Sequence, residues 1–410
     1  MKFAVRGSFA LFIVLTQPAF SAEVNGTLSS RLDFYPDRTS GTASEGRSAE
    51  LKIDAFHDFG ESRIVGEFYA RGDQKDSGRR ITEARQAYVR TPLAGFDFFL
   101  GNRQEFWGKT ESKNVVDVIN QSDAAANEGK SAKLGAPSIS AERYLDIGDL
   151  QLWYISGFRE KTFNDSDAHP SGGLPLNSAD YARNNAKTAD DYAARLSSFA
   201  GNWDLAGSVF YGTARNPILT VADDGSALNP YYALQKSIGL EAQYTGDVTL
   251  LKWESLHGTQ SSLHGNHDFS AAVAEIEYTF YGPFDTIWDI GLIGEIQHDD
   301  RPQAAANQFG VAGIRMVFND IADSNMLFLA STDRKADQSF ISFEASPRIN
   351  NYSSVKLNSQ FYNARSSTAS FSTLSDDDAV TLTLNMFFYN TPSFRFIKFN
   401  LYNNSALNGY

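Results

Sequence analysis

Alternation of apolar and polar residues with a period of two is the feature that most limits how this chain can fold. In the segment that ends at Phe388, Val380, Leu382, Leu384 and Met386 alternate with threonine and asparagine, and similar segments recur from about residue 24 onward. Such alternation indicates β-strands with one apolar and one polar face. The segments are about 9 to 13 residues long, which is the length that crosses a bilayer when a strand is tilted.

The connections between these segments alternate between long polar loops and tight turns. Long loops are expected near 36–46, 73–81, 104–137, 159–188, 214–234, 258–267, 299–306, 333–337 and 364–377, and turns at 59–62, 92–95, 146–149, 200–202, 245–247, 281–285, 319–324 and 347–351. This asymmetry is typical of outer-membrane barrels. The sequence therefore predicts an all-β fold, a transmembrane antiparallel β-barrel of about 18 strands, within roughly 16–20, with long extracellular loops.

The two ends of the chain are assigned separately from the barrel. Residues 1–22 combine Lys2 and Arg6, a short apolar core and a small-x-small site at 19–21, which is the layout of a secretory signal peptide. The barrel is predicted at 23–389. Residues 390–410 are either a C-terminal tail or one extra strand.

Composition excludes several other classes of protein. The chain has no cysteine and a net charge of -13, so disulfides and thiolate metal sites are absent and nucleic acid is not expected as a partner. His257, His264 and His267 with Asp268 are the one cluster that resembles a metal site. Flexible loops rarely preorganise such a site, so neither a metal nor a cofactor is predicted.

The third long loop, 104–137, is predicted to fold into the lumen and narrow it. Backbone away from strands is tolerated at membrane depth only where it lines a cavity. Apolar residues of this loop would pack against the wall, namely Phe106, Trp107, Val115, Val116, Val118 and Ile119. The residues assigned to the constriction are Glu105, Trp107, Lys109, Glu111, Lys113, Asp117 and Asp123. The alternative is a lid over the barrel mouth.

The inward faces of the strands carry charges that segregate along the sequence. The predicted pore-lining basic residues are Lys52, Arg63, Arg71, Arg85, Arg103 and Arg195. The acidic ones are Asp97, Glu241, Glu254, Glu275, Glu277, Asp289 and Glu295. Facing walls of opposite charge would create a transverse field that orients charged or dipolar solutes. The alternative is that these charges only pair with their neighbours in a polar lumen.

One stretch around the third loop resembles a known family. Gly-Asn-Arg-Gln at 101–104, Phe-Trp-Gly at 106–108, Val-Val-Asp-Val-Ile-Asn at 115–120 and Asp123 resemble the signature of Gram-negative outer-membrane porin-like β-barrels of mostly unknown substrate. That signature reads approximately Gly-Arg-Gln, Trp-Gly, then Val-Asp-x-Ile-Asn-Pro-x-Asp. Asn102 is an insertion relative to it, and Gln121 stands where proline is usual. The resemblance implies a barrel and is silent about substrate.

The expected function is a porin-type channel for passive diffusion of small polar or charged solutes across the outer membrane of a Gram-negative bacterium. The first alternative is a transporter of lipid or hydrophobic small molecules, whose apolar pocket would be formed by Phe99, Trp107, Val115, Val116, Val118 and Ile119. The second is an adhesion or assembly barrel that uses loops 159–188 and 214–234. An enzyme is not expected, because no Gly-x-Ser-x-Gly elbow is present. Expected partners are outer-membrane lipid and lipopolysaccharide, a small-molecule solute and the barrel-assembly machinery, with a homotrimer as one option.

Overall fold

The computed structural model describes residues 22–36, 44–126, 132–166, 174–183, 186–262, 265–304, 308–333, 335, 337–365 and 377–389. The predicted signal peptide, apart from its last residue, and the predicted tail at 390–410 lie outside the described residues.

Eighteen antiparallel strands form a closed barrel, as the alternation predicts. Their bounds are Glu23–Phe34 (β1), Glu45–Phe59 (β2), Ser62–Asp73 (β3), Ile81–Leu93 (β4), Phe96–Arg103 (β5), Ala136–Leu145 (β6), Gly148–Ile155 (β7), Asp191–Ala200 (β8), Trp203–Thr213 (β9), Leu234–Thr245 (β10), Thr249–Ser262 (β11), Gly265–Tyr281 (β12), Asp289–Asp299 (β13), Gln308–Val317 (β14), Asn325–Asp333 (β15), Gln338–Ala345 (β16), Ser353–Ala364 (β17) and Ala379–Tyr389 (β18). Each strand pairs with its neighbour, and β1 pairs with β18, so the sheet closes without an edge.

Short elements lie in the connections. A three-residue strand, Arg348–Asn350, pairs with β17 in the connection that follows β16. The third loop contains a small hairpin of Gln121–Ser122 and Lys133–Leu134. Strands Asp180–Tyr181, Ile218–Val221 and Leu228–Tyr232 form a sheet that joins the fourth and fifth loops. Single turns of 3-10 helix occur at Ala124–Ala126, Ala186–Thr188 and Pro283–Asp285. Among the described residues, no helix has the length and hydropathy needed to span a membrane.

The prediction of a sixth long loop at 258–267 is wrong. Strand β11 continues to Ser262 and β12 begins at Gly265, with Gly258 paired to Phe269. Strands that continue beyond a bilayer are surrounded by water on both sides, so their residues are polar like those of a loop. Composition alone could not separate the two cases here.

Alternate residues of each strand face outward and inward. In β18, Leu382, Leu384 and Phe388 are exposed on the outside, whereas Thr381 is buried on the inside. In β1, Leu32 is exposed outside and Arg31 is buried inside. An apolar exterior around a polar interior is the arrangement that a surrounding lipid phase requires.

Gly101 sets the geometry where β5 leads into the third loop. Its φ of 133° lies in a region that side chains rarely adopt, and a Cβ placed there would lie 2.2 Å from the carbonyl oxygen of Ala87. Glycine is therefore required for β4 and β5 to stay paired at this point.

Candidate functional site

The third loop, between β5 and β6, runs inside the barrel. Its side chains Trp107, Val116 and Ile119 are almost fully buried. They pack in one apolar cluster with inward residues of the wall, including Trp153 and Leu256. The predicted inward position of the loop is confirmed, with one exception among its apolar residues: Phe106 is exposed.

Glu254 of β11 binds the backbone of this loop. Its side chain is fully buried, and its two oxygens accept five hydrogen bonds. The Oε1 atom accepts from the amide nitrogens of Lys109 (2.5 Å) and Thr110 (2.9 Å), the hydroxyl of Thr110 (2.9 Å) and the Nδ2 of Asn114 (2.9 Å). The Oε2 atom accepts from the amide of Val115 at 2.9 Å. The carboxylate thus replaces the strand partner that this irregular backbone lacks.

Two further carboxylates on the next strands extend this arrangement. Glu275 of β12 accepts from the amide of Glu111 at 2.5 Å, and Glu295 of β13 accepts from the amide of Ser112 at 3.1 Å and from its hydroxyl. We call Glu254, Glu275 and Glu295 the carboxylate row. All three were predicted to line the pore; the structure places them inward but bonded to the loop.

The loop tip is bound to the opposite wall. Asp123 accepts from Arg71 of β3 at 3.1 Å, from Arg85 of β4 at 2.8 Å and from the Thr162 hydroxyl at 2.7 Å. The Asp123 side chain has no solvent exposure. Arg31 donates to the carbonyl of Ala126 at 2.7 Å. The loop therefore crosses the lumen and is anchored on both sides.

Gln121, which departs from the family signature, ties the third loop to the fourth and fifth. Its buried Nε2 donates to the carbonyls of Arg215 at 2.6 Å and Arg159 at 3.2 Å. Proline has no such donor. Arg215 in turn donates to the carbonyl of Ile119 at 2.9 Å and to Asp191 at 2.7 Å.

Most other predicted site charges form close ion pairs inside the barrel. The pairs are Lys52 with Glu67 (3.2 Å), Arg103 with Glu105 (2.8 Å) and Glu142 (2.5 Å), Lys109 with Asp204 (2.5 Å), Glu111 with Arg315 (2.7 Å), Lys113 with Asp299 (2.7 Å), Asp117 with Lys133, Arg195 with Glu241 (2.8 Å) and Glu277 with Arg315 (3.1 Å). These contacts match the alternative in which inward charges pair with their neighbours. Close pairing weakens any field that acts across the lumen.

Three predicted residues lie away from the loop, near the short-turn end of the barrel. Arg63 pairs with Asp58 at 2.5 Å. Asp97 pairs with Arg90 at 2.9 Å. Asp289 accepts from Asn319 of the turn after β14 at 2.8 Å. The structure does not bring these three together with the carboxylate row.

Sequence reasoning missed a second set of buried charges at the long-loop end. Arg31 and Asp33 of β1 pair at 2.8 Å, and Arg79 lies 3.5 Å from Asp33 and 3.3 Å from Asp73. The inward positions of Arg31, Asp33 and Asp73 follow from the alternation in β1 and β3. Arg79 precedes β4 in a loop, where no periodicity indicates its direction.

The wall formed by β15–β18, β1 and the start of β2 has a different character. We call it the neutral wall, because its inward residues are mainly uncharged and polar: Asn25, Thr27, Ser29, Ser331, Ser342, Ser354, Asn358, Gln360, Thr381, Thr383 and Asn385. Lys356 and Glu344 on this wall pair with each other at 3.0 Å, and its long-loop end carries the buried charges Arg31, Asp33 and Asp333. Mainly neutral side chains therefore line the part of the wall that lies between the strands holding the two sides of the third loop, β11–β13 and β3–β4.

The histidines do not assemble a metal site among the described residues, where no group of three or more potential ligands was found. His257 pairs with Ser270 on the outward face, whereas His267 pairs with the buried, inward Gln260. The wall separates these two side chains. His264 lies outside the described residues.

Comparisons with known proteins support the fold. No family model and no curated protein matches the chain. Among solved structures, Wzi of Escherichia coli, described as an outer-membrane protein involved in group 1 capsule assembly and as a carbohydrate-binding β-barrel, is 9% identical over 89% of this chain and 84% of its own, with a TM-score of 0.53. Two mutants of the Rhodopseudomonas blastica porin are 12% and 13% identical over 90% of this chain and all of theirs, with TM-scores of 0.43 and 0.42. At 9% identity, the likeness to Wzi shows the fold alone, which is the closed β-barrel of outer-membrane proteins.

Proposed function

We propose that the protein is a channel in the outer membrane of a Gram-negative bacterium, through which small polar solutes diffuse passively. One observation carries the proposal: the third loop crosses the lumen and is anchored on both walls, by the carboxylate row on one side and by Arg71 and Arg85 on the other. An inward loop that is anchored in this way narrows the lumen of a large barrel. The apolar exterior and the predicted signal peptide support an outer-membrane location.

The lipid-transport alternative has less support. The apolar loop residues that it requires for a pocket pack against the wall instead, and Phe99 lies beneath the guanidinium of Arg103, whose carbon is 3.8 Å from the ring centroid.

A surface-binding or assembly barrel is the second candidate. The observation that favours it is the sheet that joins the fourth and fifth loops, where the rings of Tyr181 and Tyr232 stack with centroids 5.5 Å apart. This small sheet, on the long-loop side of the barrel, offers a surface for a partner. Wzi, with its carbohydrate-binding barrel, is a precedent of the same fold.

The channel proposal can be tested by thiol blocking, since the chain has no cysteine. Ser342→Cys places a thiol on the neutral wall, and Ile341→Cys places one on the adjacent outward position. In planar bilayers, a cationic methanethiosulfonate reagent should reduce the current through the first variant and leave the second unchanged. A folded barrel that carries no current, or a current unaffected by confirmed modification of Ser342→Cys, would refute the channel and favour the surface-binding candidate.

A further inference from the structure

We propose that the permeant solutes are uncharged and rich in hydroxyl groups, such as sugar alcohols and small saccharides. This inference rests on the proposed channel function and concerns the class of solute.

The neutral wall offers hydrogen-bonding groups at successive heights in the barrel. Its strands are in register, so Gln360 lies beside Ser342, Asn358 beside Thr381, and Ser29 beside Asn385. These groups already interact: Ser29 donates to Asn385 at 2.7 Å, and Asn385 donates to Ser354 at 3.2 Å. Hydroxyl and amide groups both donate and accept, so they can replace the water shell of a solute hydroxyl as it moves.

The charged residues on the walls that hold the third loop cannot replace the hydration shell of an ion in the same way. The carboxylate row is bonded to loop amides, and the arginines that anchor the tip are bonded to Asp123. A charged solute in the narrowed lumen loses part of its hydration and meets fixed charges that already have partners. That loss of hydration costs more for an ion than for a neutral polyol.

Apolar surface is interleaved with the hydroxyl groups, as a sugar requires. Leu327 and Phe340 face inward from β15 and β16, and the rings of Phe340 and Tyr362 lie with centroids 4.8 Å apart. Sugars combine C–H faces with hydroxyl edges, and aromatic and aliphatic side chains suit the former. Inorganic ions have no C–H faces that could pack against these apolar side chains.

The test is efflux from proteoliposomes loaded with size-matched solutes: sorbitol, gluconate, protonated glucosamine and triethylene glycol, quantified by mass spectrometry. Sorbitol should leave about fivefold faster than either charged solute and faster than the glycol, which lacks the hydroxyl ladder.

The double variant Asn358→Leu with Thr383→Val removes polar groups from the neutral wall with little change of shape. It should slow sorbitol about fivefold, since each lost hydrogen bond contributes a modest free energy, and leave potassium chloride conductance within about twofold. Thr383→Ser should behave like the parent. Thr332→Val, which removes a hydroxyl from the exposed outward face of β15, is the matched control.

The outcomes separate the two proposals. Efflux of no solute from liposomes that contain folded barrel would overturn the channel itself. Faster efflux of gluconate or glucosamine than of sorbitol would overturn the neutral-solute inference while leaving the channel. Equal rates of sorbitol efflux in the parent and the double variant would also overturn the neutral-solute inference.

Discussion

Replacing Glu254 by glutamine should loosen the third loop. The substitution keeps the size of the side chain but turns one acceptor oxygen into an NH2 group. If the amide oxygen takes the four donors now at Oε1, the new NH2 faces the amide of Val115, 2.9 Å from the present Oε2. If the amide turns the other way, it faces the amides of Lys109 and Thr110 and the side-chain donors beside them. In either orientation two donors meet in a fully buried position.

The size of the decrease in the loop's free energy of opening follows from two effects. One charge-assisted hydrogen bond is lost, and one buried donor is left without an acceptor. Together these lower the free energy of local opening by about 2 to 4 kcal/mol. Amide hydrogen exchange of residues 109–115 should then accelerate about 30- to 900-fold where opening and reclosing are faster than the exchange chemistry. The measurement is exchange of the barrel in detergent or nanodiscs, resolved by peptide.

Glu241→Gln is the matched control. Glu241 is also buried and lies directly opposite Glu254 on β10, but its carboxylate pairs with Arg195 at 2.8 Å and 2.9 Å rather than with the loop. Its replacement should leave exchange of 109–115 unchanged. Equal exchange in both variants, or no acceleration in Glu254→Gln, would refute the idea that the carboxylate row holds the loop.

Three further predictions concern other parts of the barrel. Asp123→Asn should destabilise the loop tip by about 3 to 5 kcal/mol, because two buried arginines lose their shared anion, and exchange of 121–126 should rise whereas Ser122→Ala should not raise it. Gly101→Ala should lower the yield of folded barrel in heat-modifiability gels, since its Cβ would lie 2.2 Å from a carbonyl oxygen of β4, whereas Gly72→Ala, with no atom within 4 Å, should fold normally. Burial raises the pKa of Asp76, in the loop before β4; the folded loop therefore favours the protonated form, and its stability should decrease as the pH rises through that pKa. Exchange of residues 74–80 should accelerate with pH, beyond the intrinsic rate, in the parent and not in Asp76→Asn.

The barrel could be predicted because the pattern that indicates it lies within each strand separately. Alternation with a period of two is imposed on each strand by lipid on one side and water on the other, so it can be read one segment at a time. The same rule assigned Glu254, Glu275 and Glu295 to the interior correctly. It failed at 258–267, where both faces of the paired strands are polar.

The partners of the inward charges could not be predicted in the same way. Glu254 binds amides about 140 positions earlier in the chain, and only the path of the third loop brings them together. No periodicity encodes that path. The pairing of Arg79 with Asp33 has the same origin, since a loop residue meets a strand that is distant in sequence.

The carboxylate row also has a consequence for assembly. The loop precedes β11–β13 in the chain, so the carboxylates that bind its amides are synthesised after the loop itself. A slip of β11 by one residue relative to its neighbours would turn Glu254 toward lipid and place Trp253 or Ser255 against the loop. We expect the loop to seat only in a barrel whose strands have the correct stagger, because only there do its amides meet the carboxylate row. Misaligned barrels would display a loose loop that proteases can cut.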